Sequence, residues 1–514
     1  MLAQARTFAI DGFVTRPVTV EVDVRAGLPA FTVVGLADAG VREARDRVRS
    51  AIANSGYEFP VQRIIANLAP GDVPKIGPGF DLALACAVLA ASGQLPAECL
   101  DHVALFGELS LDGRIRPCKG TLAAAQGTSR AGLQTLIIGA ERAREAMLVE
   151  GISVAVAERL SSAVRFLRGG SPDPLPVLSS PAATEPSTPT PDLGDVQGQR
   201  EGIQALIIAA AGAHNMLLTG PPGTGKTMLA QRLPSILPPL SQTEAVDVLR
   251  IHSLGSGEIS EQLRYDRPFR APHHTATTAG LIGGAKSGWV GEIVLAHHGV
   301  LFLDELTEFA SATLEALRQP LEDGRVVIVR ARHSATYPAR FMLVAATNPC
   351  RCGYAGVPGR CKCSSRELLR YRRRLSGPLL DRIDLFPRVR HDDQEMLEAK
   401  PLTSSSRARE MVLEARERQA ARFAGHEITV NAQLDSRLLR EHVKLDERSE
   451  GMLLGARQRG ALSIRGQHRA LRVARTIADL AHSERVDARH LERALLLRAN
   501  DDLGEAELAR VGAR

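Results

Sequence analysis

Apolar and polar residues change rhythm three times along this chain. In residues 18–24 (VTVEVDV) they alternate strictly, the period-two pattern of a half-buried strand, and residues 64–68 (IIANL) predict another. Between them, residues 41–54 space Val, Ala and Ile among Arg, Glu and Asp at helical intervals. Residues 1–168 therefore read as a compact α+β module. From 169 to 191 the composition turns to Pro, Ser, Thr and Ala (GGSPDPLPVLSSPAATEPSTPTP). Such a stretch carries too little apolar area to offset its ordering entropy, and a flexible linker is expected. Within residues 192–398, short apolar runs recur between helical patterns: MLLT at 216–219, VLFL at 300–303 and FMLVA at 341–345. Runs of this kind predict parallel strands buried on both faces, with helices covering the sheet. Residues 399–514 hold charge-rich helical patterns without a clear strand. The fold class expected is multidomain α/β.

Length agrees with that division, since 514 residues suggest roughly three domains of about 150 each. The longest apolar run, residues 82–91, is well short of the about 18 residues that a membrane span needs. The first residues, MLAQARTFAIDGF, lack the basic and then apolar layout of a signal peptide, so a cytoplasmic location is expected. A net charge of +6 suits a nucleic-acid partner without requiring one. Seven cysteines in such a chain point to metal binding or burial, not to a disulfide framework.

The sharpest chemical signal is residues 220–227, GPPGTGKT, set between an apolar strand pattern and a helical one. In that context Gly220, Pro221, Pro222, Gly223, Thr224, Gly225, Lys226 and Thr227 form a phosphate cradle: the glycines let backbone N–H groups converge on phosphate oxygens, and the following helix adds its positive end. Lys226 is expected on the β and γ phosphates of ATP, and the Thr227 hydroxyl on Mg²⁺. The run at 300–303 ends in Asp304 and Glu305, at the carboxyl end of a strand where an α/β sheet places ligands. Asp304 would orient Mg²⁺ and Glu305 would polarise the attacking water. Asn348, after the third strand, can position that water, although Asn before Pro is also ordinary turn chemistry. Cys350, Cys352, Cys361 and Cys363 form a C-x-C, eight-residue loop, C-x-C arrangement. Four thiolates complete a tetrahedral Zn²⁺ site, but C-x-C is tighter than the usual ligand spacing, and free buried thiols are the competing reading.

The motifs EARDRVRSAIANSGYEFP, NLAPGDVPK, GPPGTGKTMLA, RPFRAPHH, GEIVLAHHGVLFLDEL, YPARFMLVAATNP, SGPLLDRIDL, SIR and VARTIADL run nearly end to end. With them the chain resembles the Mg-chelatase-like AAA+ ATPases of the ComM/YifB family. The resemblance implies a Lon-protease-like α+β module at 1–168, an AAA+ core with a helix-2 insert at 192–398, and a helical lid at 399–514. It makes Asn348 the sensor of the γ-phosphate, Arg382 an arginine finger reaching a neighbouring subunit, and Arg465 a second sensor, with Arg469 its companion. A surface pair of Arg382 with Asp381 or Asp384 is the bland alternative. A homo-oligomeric ring, usually a hexamer, follows. Pore elements are implied at about 275–291, with Lys286 and Trp289, and at about 324–340, with Arg325, Arg330, Arg332 and His333. They suit DNA phosphates. A further basic run, 366–374, offers Tyr371 for stacking. Within the first module, Gly79 stands where a Lon protease has its nucleophilic serine and Leu122 where it has its lysine, which implies a proteolytically silent unit. The function implied is an ATP-driven DNA motor promoting branch migration during recombination, with recombination proteins as partners. The rivals are a magnesium-chelatase subunit and a protein remodeller.

Overall fold

The computed structural model describes residues 1–36, 38–175, 191–255, 263–284, 290–330, 333–375, 377–390, 403–458 and 463–498, with backbone alone at 39, 42, 330, 333 and 334. The alternating N-terminal sequence builds β1 (Leu2–Asp11) and β2 (Val14–Arg25), an antiparallel hairpin whose inward residues Ala3, Ala5, Val18, Val20 and Val22 are buried. They join β3 (Ala30–Val34), β4 (Arg63–Ala69), β5 (Val103–Leu105), β8 (Thr135–Ile138) and β9 (Ser153–Val156) in a seven-stranded sheet of order β3-β4-β2-β1-β5-β8-β9. Two short strands, β6 (Glu108–Leu109) and β7 (Ile115–Arg116), pair separately. The helix Asp81–Ala91 is buried at every position, which is why its sequence shows no polar stripe.

The apolar runs of the central region form β10 (Met216–Thr219), β12 (Val300–Leu303) and β15 (Met342–Thr347), each buried throughout. With β11 (Phe269–Arg270) they make a four-stranded parallel sheet of order β10-β15-β12-β11. Leu385 and Arg388 bridge the free side of β10, also in parallel. Between β12 and β15 the chain makes a hairpin of β13 (Arg325–Arg330) and β14 (His333–Pro338). Beyond residue 402 the described elements are helices and turns. Ile464–Leu480 and Ser405–Arg422 bury one face against the helix Arg200–Gly212, so that sheet and helical region share one core.

Two polar clusters fasten the first module to the central one. Arg250, in the helix Gln242–Gly255, is 1% exposed and donates to Gln126 Oε1 (2.7 Å), Phe13 O (2.9 Å) and Thr15 Oγ1 (2.7 Å), with its guanidinium over the Phe13 ring. One turn on, Ser253 donates to Glu145 Oε1 (2.5 Å), while Arg142 donates to Glu145 and to Ser253. Part of the stretch expected to be a free linker is anchored: Asp173 accepts from the Glu158 N–H (2.8 Å) and from Arg165, and its own N–H donates to Val156 O. Those polar groups satisfy what the Pro-rich composition could not by burial. Residues 176–190 of that stretch lie outside the described residues. Among the described residues no helix is long and apolar enough to cross a membrane.

Candidate nucleotide site and its surroundings

Residues 220–227 leave the carboxyl end of β10 and enter the helix Lys226–Gln231. Gly223 (φ +80°) and Gly225 (φ +83°) hold left-handed backbone that a side chain would resist, and this turns the loop back over the helix start. The Lys226 ammonium donates to Gly220 O (2.7 Å), Pro221 O (2.8 Å) and Asn348 Oδ1 (3.1 Å). Burial pulls it below the ordinary lysine range, while Asp304 and Glu305 oppose the shift. Asn348 follows β15, the strand beside β10, so adjacent strand ends bring lysine and asparagine together.

The Thr227 hydroxyl donates to Asp304 Oδ2 (2.7 Å). This pair of hard oxygen donors beside the phosphate loop fits Mg²⁺. Asp304 Oδ1 accepts from the Glu305 N–H (2.9 Å), and Glu305 adopts φ +50° with its carboxylate exposed. A residue that the motif reading did not assign faces it: His274 Nδ1 lies 3.4 Å from Glu305 Oε2. Its signal was present in RPFRAPHH, but only the placement of β11 beside β12 shows which carboxylate it meets.

Arg382 lies elsewhere. Its carbonyl accepts from Asn215 Nδ2 (2.9 Å), and Asn215 immediately precedes β10, so Arg382 sits at the amino end of the strand whose carboxyl end carries the phosphate loop. Its guanidinium pairs with Glu322 and donates to Pro378 O (2.6 Å); neither Asp381 nor Asp384 is its partner. Arg465 and Arg469 line one small cavity with Arg382, Glu322, Asp381 and Leu321. Arg469 donates to buried Asp384 (2.7 Å). Burial alone would raise the Asp384 carboxyl, but His214, whose Nδ1 lies 3.4 Å from Oδ2, and the Arg469 charge outweigh it and hold it well below the usual range.

The cysteine residues converge: the four Sγ atoms all lie within 4.8 Å of one another, with Cys350 3.3 Å from Cys352 and 4.0 Å from Cys361, and Cys352 3.8 Å from Cys361. Hydrogen bonds from the backbone of Tyr354 and Lys362 draw the Cys352 thiol down to about 6. Cys86 and Cys118 are buried singly, and Cys99 is half-buried. Tyr371 is not available for stacking: it is 8% exposed, with its hydroxyl accepting from Thr307 Oγ1 (2.7 Å), because its helix turns that face onto the segment after β12. Of the basic candidates on the hairpin, Arg325 is exposed at its base. Arg330 and His333 pair in its backbone register, while Arg332, Lys286 and Trp289 lie outside the described residues.

A phosphate loop at a strand end, paired acids on the next strand but one and an asparagine at the end of the strand between them, followed by a helical region, define a P-loop ATPase core of AAA+ type. The chain belongs to the Mg-chelatase-like ComM/YifB family of these ATPases. Residues 192–397 match the family model for magnesium chelatase, subunit ChlI, residues 402–498 its C-terminal model, and residues 20–142 the model for subunit ChlI of Mg-chelatase. YifB of Salmonella typhimurium is 44% identical over 507 residues, 98% of either chain. Competence protein ComM of Haemophilus influenzae is 43% identical over 487 residues, 94% of either chain. A Lon protease of Chloroflexus aurantiacus is 34% identical over 127 residues, 23% of this chain and 15% of its own.

Proposed function

We propose that this protein is a ring-forming, ATP-dependent motor on DNA that promotes branch migration while a donor strand is integrated, as in natural competence. One observation carries the ring. Arg382 and Arg465 share a cavity at the amino end of β10, whereas Lys226 and Asn348 meet at its carboxyl end. A strand of four residues separates the two ends by about 13 Å, so these arginines serve the nucleotide of another copy. Within one copy, Lys226 holds the β and γ phosphates, Asn348 senses the γ-phosphate, and Glu305 orients the attacking water. Thr227 and Asp304 would hold Mg²⁺, which when bound neutralises charge between the β and γ phosphates. Arg382 from the neighbour then stabilises charge developing on the transferred phosphoryl group. The domains fall at 1–168, 192–398 and 399–514, with residues 169–191 between the first two.

The hairpin β13–β14 is the proposed substrate contact, its sequence supplying Arg325, Arg330, Arg332 and His333; net charge and the likeness to a competence protein support DNA as what it touches. The first module is a silent relative of Lon-type folds. A Cβ on Gly79 would come within 2.6 Å of the Phe106 ring, so a serine there has no room, and Leu122 is fully buried. The four cysteines hold a structural Zn²⁺. Substrate class is read by the ATPase rate with branched DNA, with porphyrin and Mg²⁺, and with unfolded protein. Stimulation by DNA alone is expected, and stimulation only by either of the others overturns the reading. With Arg330 and Arg332 both changed to Ala, DNA affinity should fall and its salt slope shrink by about two.

A further inference from the structure

The loop that carries the four cysteines is also part of the wall of the nucleotide site. Cys350 follows Asn348 by two residues, and Asn348 accepts from Lys226 (3.1 Å). Gly353, at φ +88°, rests on Pro222 of the phosphate loop so closely that a Cβ would stand 2.6 Å from Pro222 Cδ. At the far end, Cys363 precedes Ser364, which caps the helix Ser365–Arg372. The same fifteen or so residues thus join β15, the phosphate loop and that helix with little buried apolar area to hold them: GYAGVPGR between the thiol pairs is glycine-rich, and none of its Ala355, Val357 and Pro358 side chains is fully buried.

Resting on the reading of the four cysteines as a metal site, we infer that one Zn²⁺ on Cys350, Cys352, Cys361 and Cys363 holds this loop against Pro222 and Asn348, so that metal occupancy sets nucleotide affinity. The geometry suits a single ion. Tetrahedral bonds of about 2.3 Å place sulfurs about 3.8 Å apart, against 3.3, 3.8 and 4.0 Å here. A disulfide would need about 2.05 Å. The Ala355 N–H donates to Cys350 Sγ (3.2 Å), the kind of outer contact that orients a metal-bound thiolate. Zn²⁺ binds the four sulfurs as thiolates, displacing the protons they still carry, and the tetrathiolate centre has two negative charges on a loop whose sequence also holds Arg351, Arg360 and Lys362.

The test counts metal and nucleotide separately on the full chain. Protein purified without chelator should contain about one zinc per chain by elemental analysis, and growth with Co²⁺ should give the visible absorption of a tetrahedral tetrathiolate. The double variant Cys361→Ser, Cys363→Ser should lose the metal and bind Mg²⁺–ATPγS about tenfold more weakly, while Cys99→Ser should keep both properties. Gly353→Ala, which leaves all four thiols, should keep zinc yet weaken ATPγS binding, so the coupling is tested even where the double variant fails to fold. Zinc well below one per chain, iron in its place, or a mass showing disulfides overturns the metal assignment. Unchanged ATPγS affinity in Gly353→Ala overturns the coupling and leaves the metal standing. Failure of the unaltered protein to bind ATPγS would instead refute the nucleotide site, whereas the zinc count of Lys226→Ala would be untouched.

Discussion

Glu305 takes left-handed backbone, costing about 1–3 kcal/mol for a non-glycine residue, and its carboxylate is turned towards His274. That strain sits beside Asp304, where the proposed function has Glu305 polarise the attacking water. Glu305→Gln should lower kcat by about 10²–10⁴-fold while ATP affinity stays within about threefold, measured by steady-state ATPase and equilibrium binding. Lys226→Ala should lose binding as well. A second residue links the fold to pH. His297 is buried behind the sheet and accepts the Arg340 N–H at Nδ1 (3.0 Å). Burial, with the charges of His298 and Arg340, pulls it down to about 2. The unfolded chain therefore takes up a proton near pH 6.5 that the folded chain refuses, and stability falls with pH below that point by about 1.4 kcal/mol per unit. In His297→Gln the decline of Tm between pH 6.5 and 4.5 should be shallower.

At the scale of elements, the helix Gln242–Gly255 behaves as a bolt between two modules. Its Arg250 reaches three acceptors on the first module, and burial pulls the guanidinium down to about 10, so those bonds carry a charge held out of water. Arg250→Ala removes them and should cost about 3 kcal/mol, with earlier proteolysis between the modules as the readout. The hairpin joins the same contact: the Phe13 N–H at the β1–β2 turn donates to Thr336 O on β14 (3.4 Å). The strands of this region were legible because period two and apolar runs each have one geometric meaning. The docking was not, because nothing in the sequence near Arg250 distinguishes a buried arginine from a solvated one. Tyr371 shows the same limit, since its basic neighbours suggest a surface that its helix turns inward.

For the whole molecule the decisive arrangement is the split between the two ends of β10. Arg382→Ala should bind ATP normally and not turn it over. Mixed with Glu305→Gln, it should regain activity, because one interface in the mixed assembly pairs an intact Glu305 with an intact Arg382. Two inactive variants that stay inactive when mixed, despite co-assembly by sedimentation, would place the finger in its own site. On the proposed ring, Arg382 would leave its half-exposed pair with Glu322 in the single chain for the phosphate of a neighbouring copy, a stronger anion.

The sequence by itself determined the phosphate loop, the acids after β12 and the strand that ends in Asn348, because each depends on neighbours within a few residues and on a strand-to-helix context that periodicity reveals. It also marked the cysteine pairs, though not that their sulfurs meet. Only the tertiary structure decided which distant groups share a place: His274 with Glu305, Arg382 with Glu322 and Arg465, Gly353 with Pro222, Arg250 with Phe13. Those contacts depend on strand order and on which helix face is buried. Both follow from how the whole chain covers its apolar surface, and no local pattern encodes them.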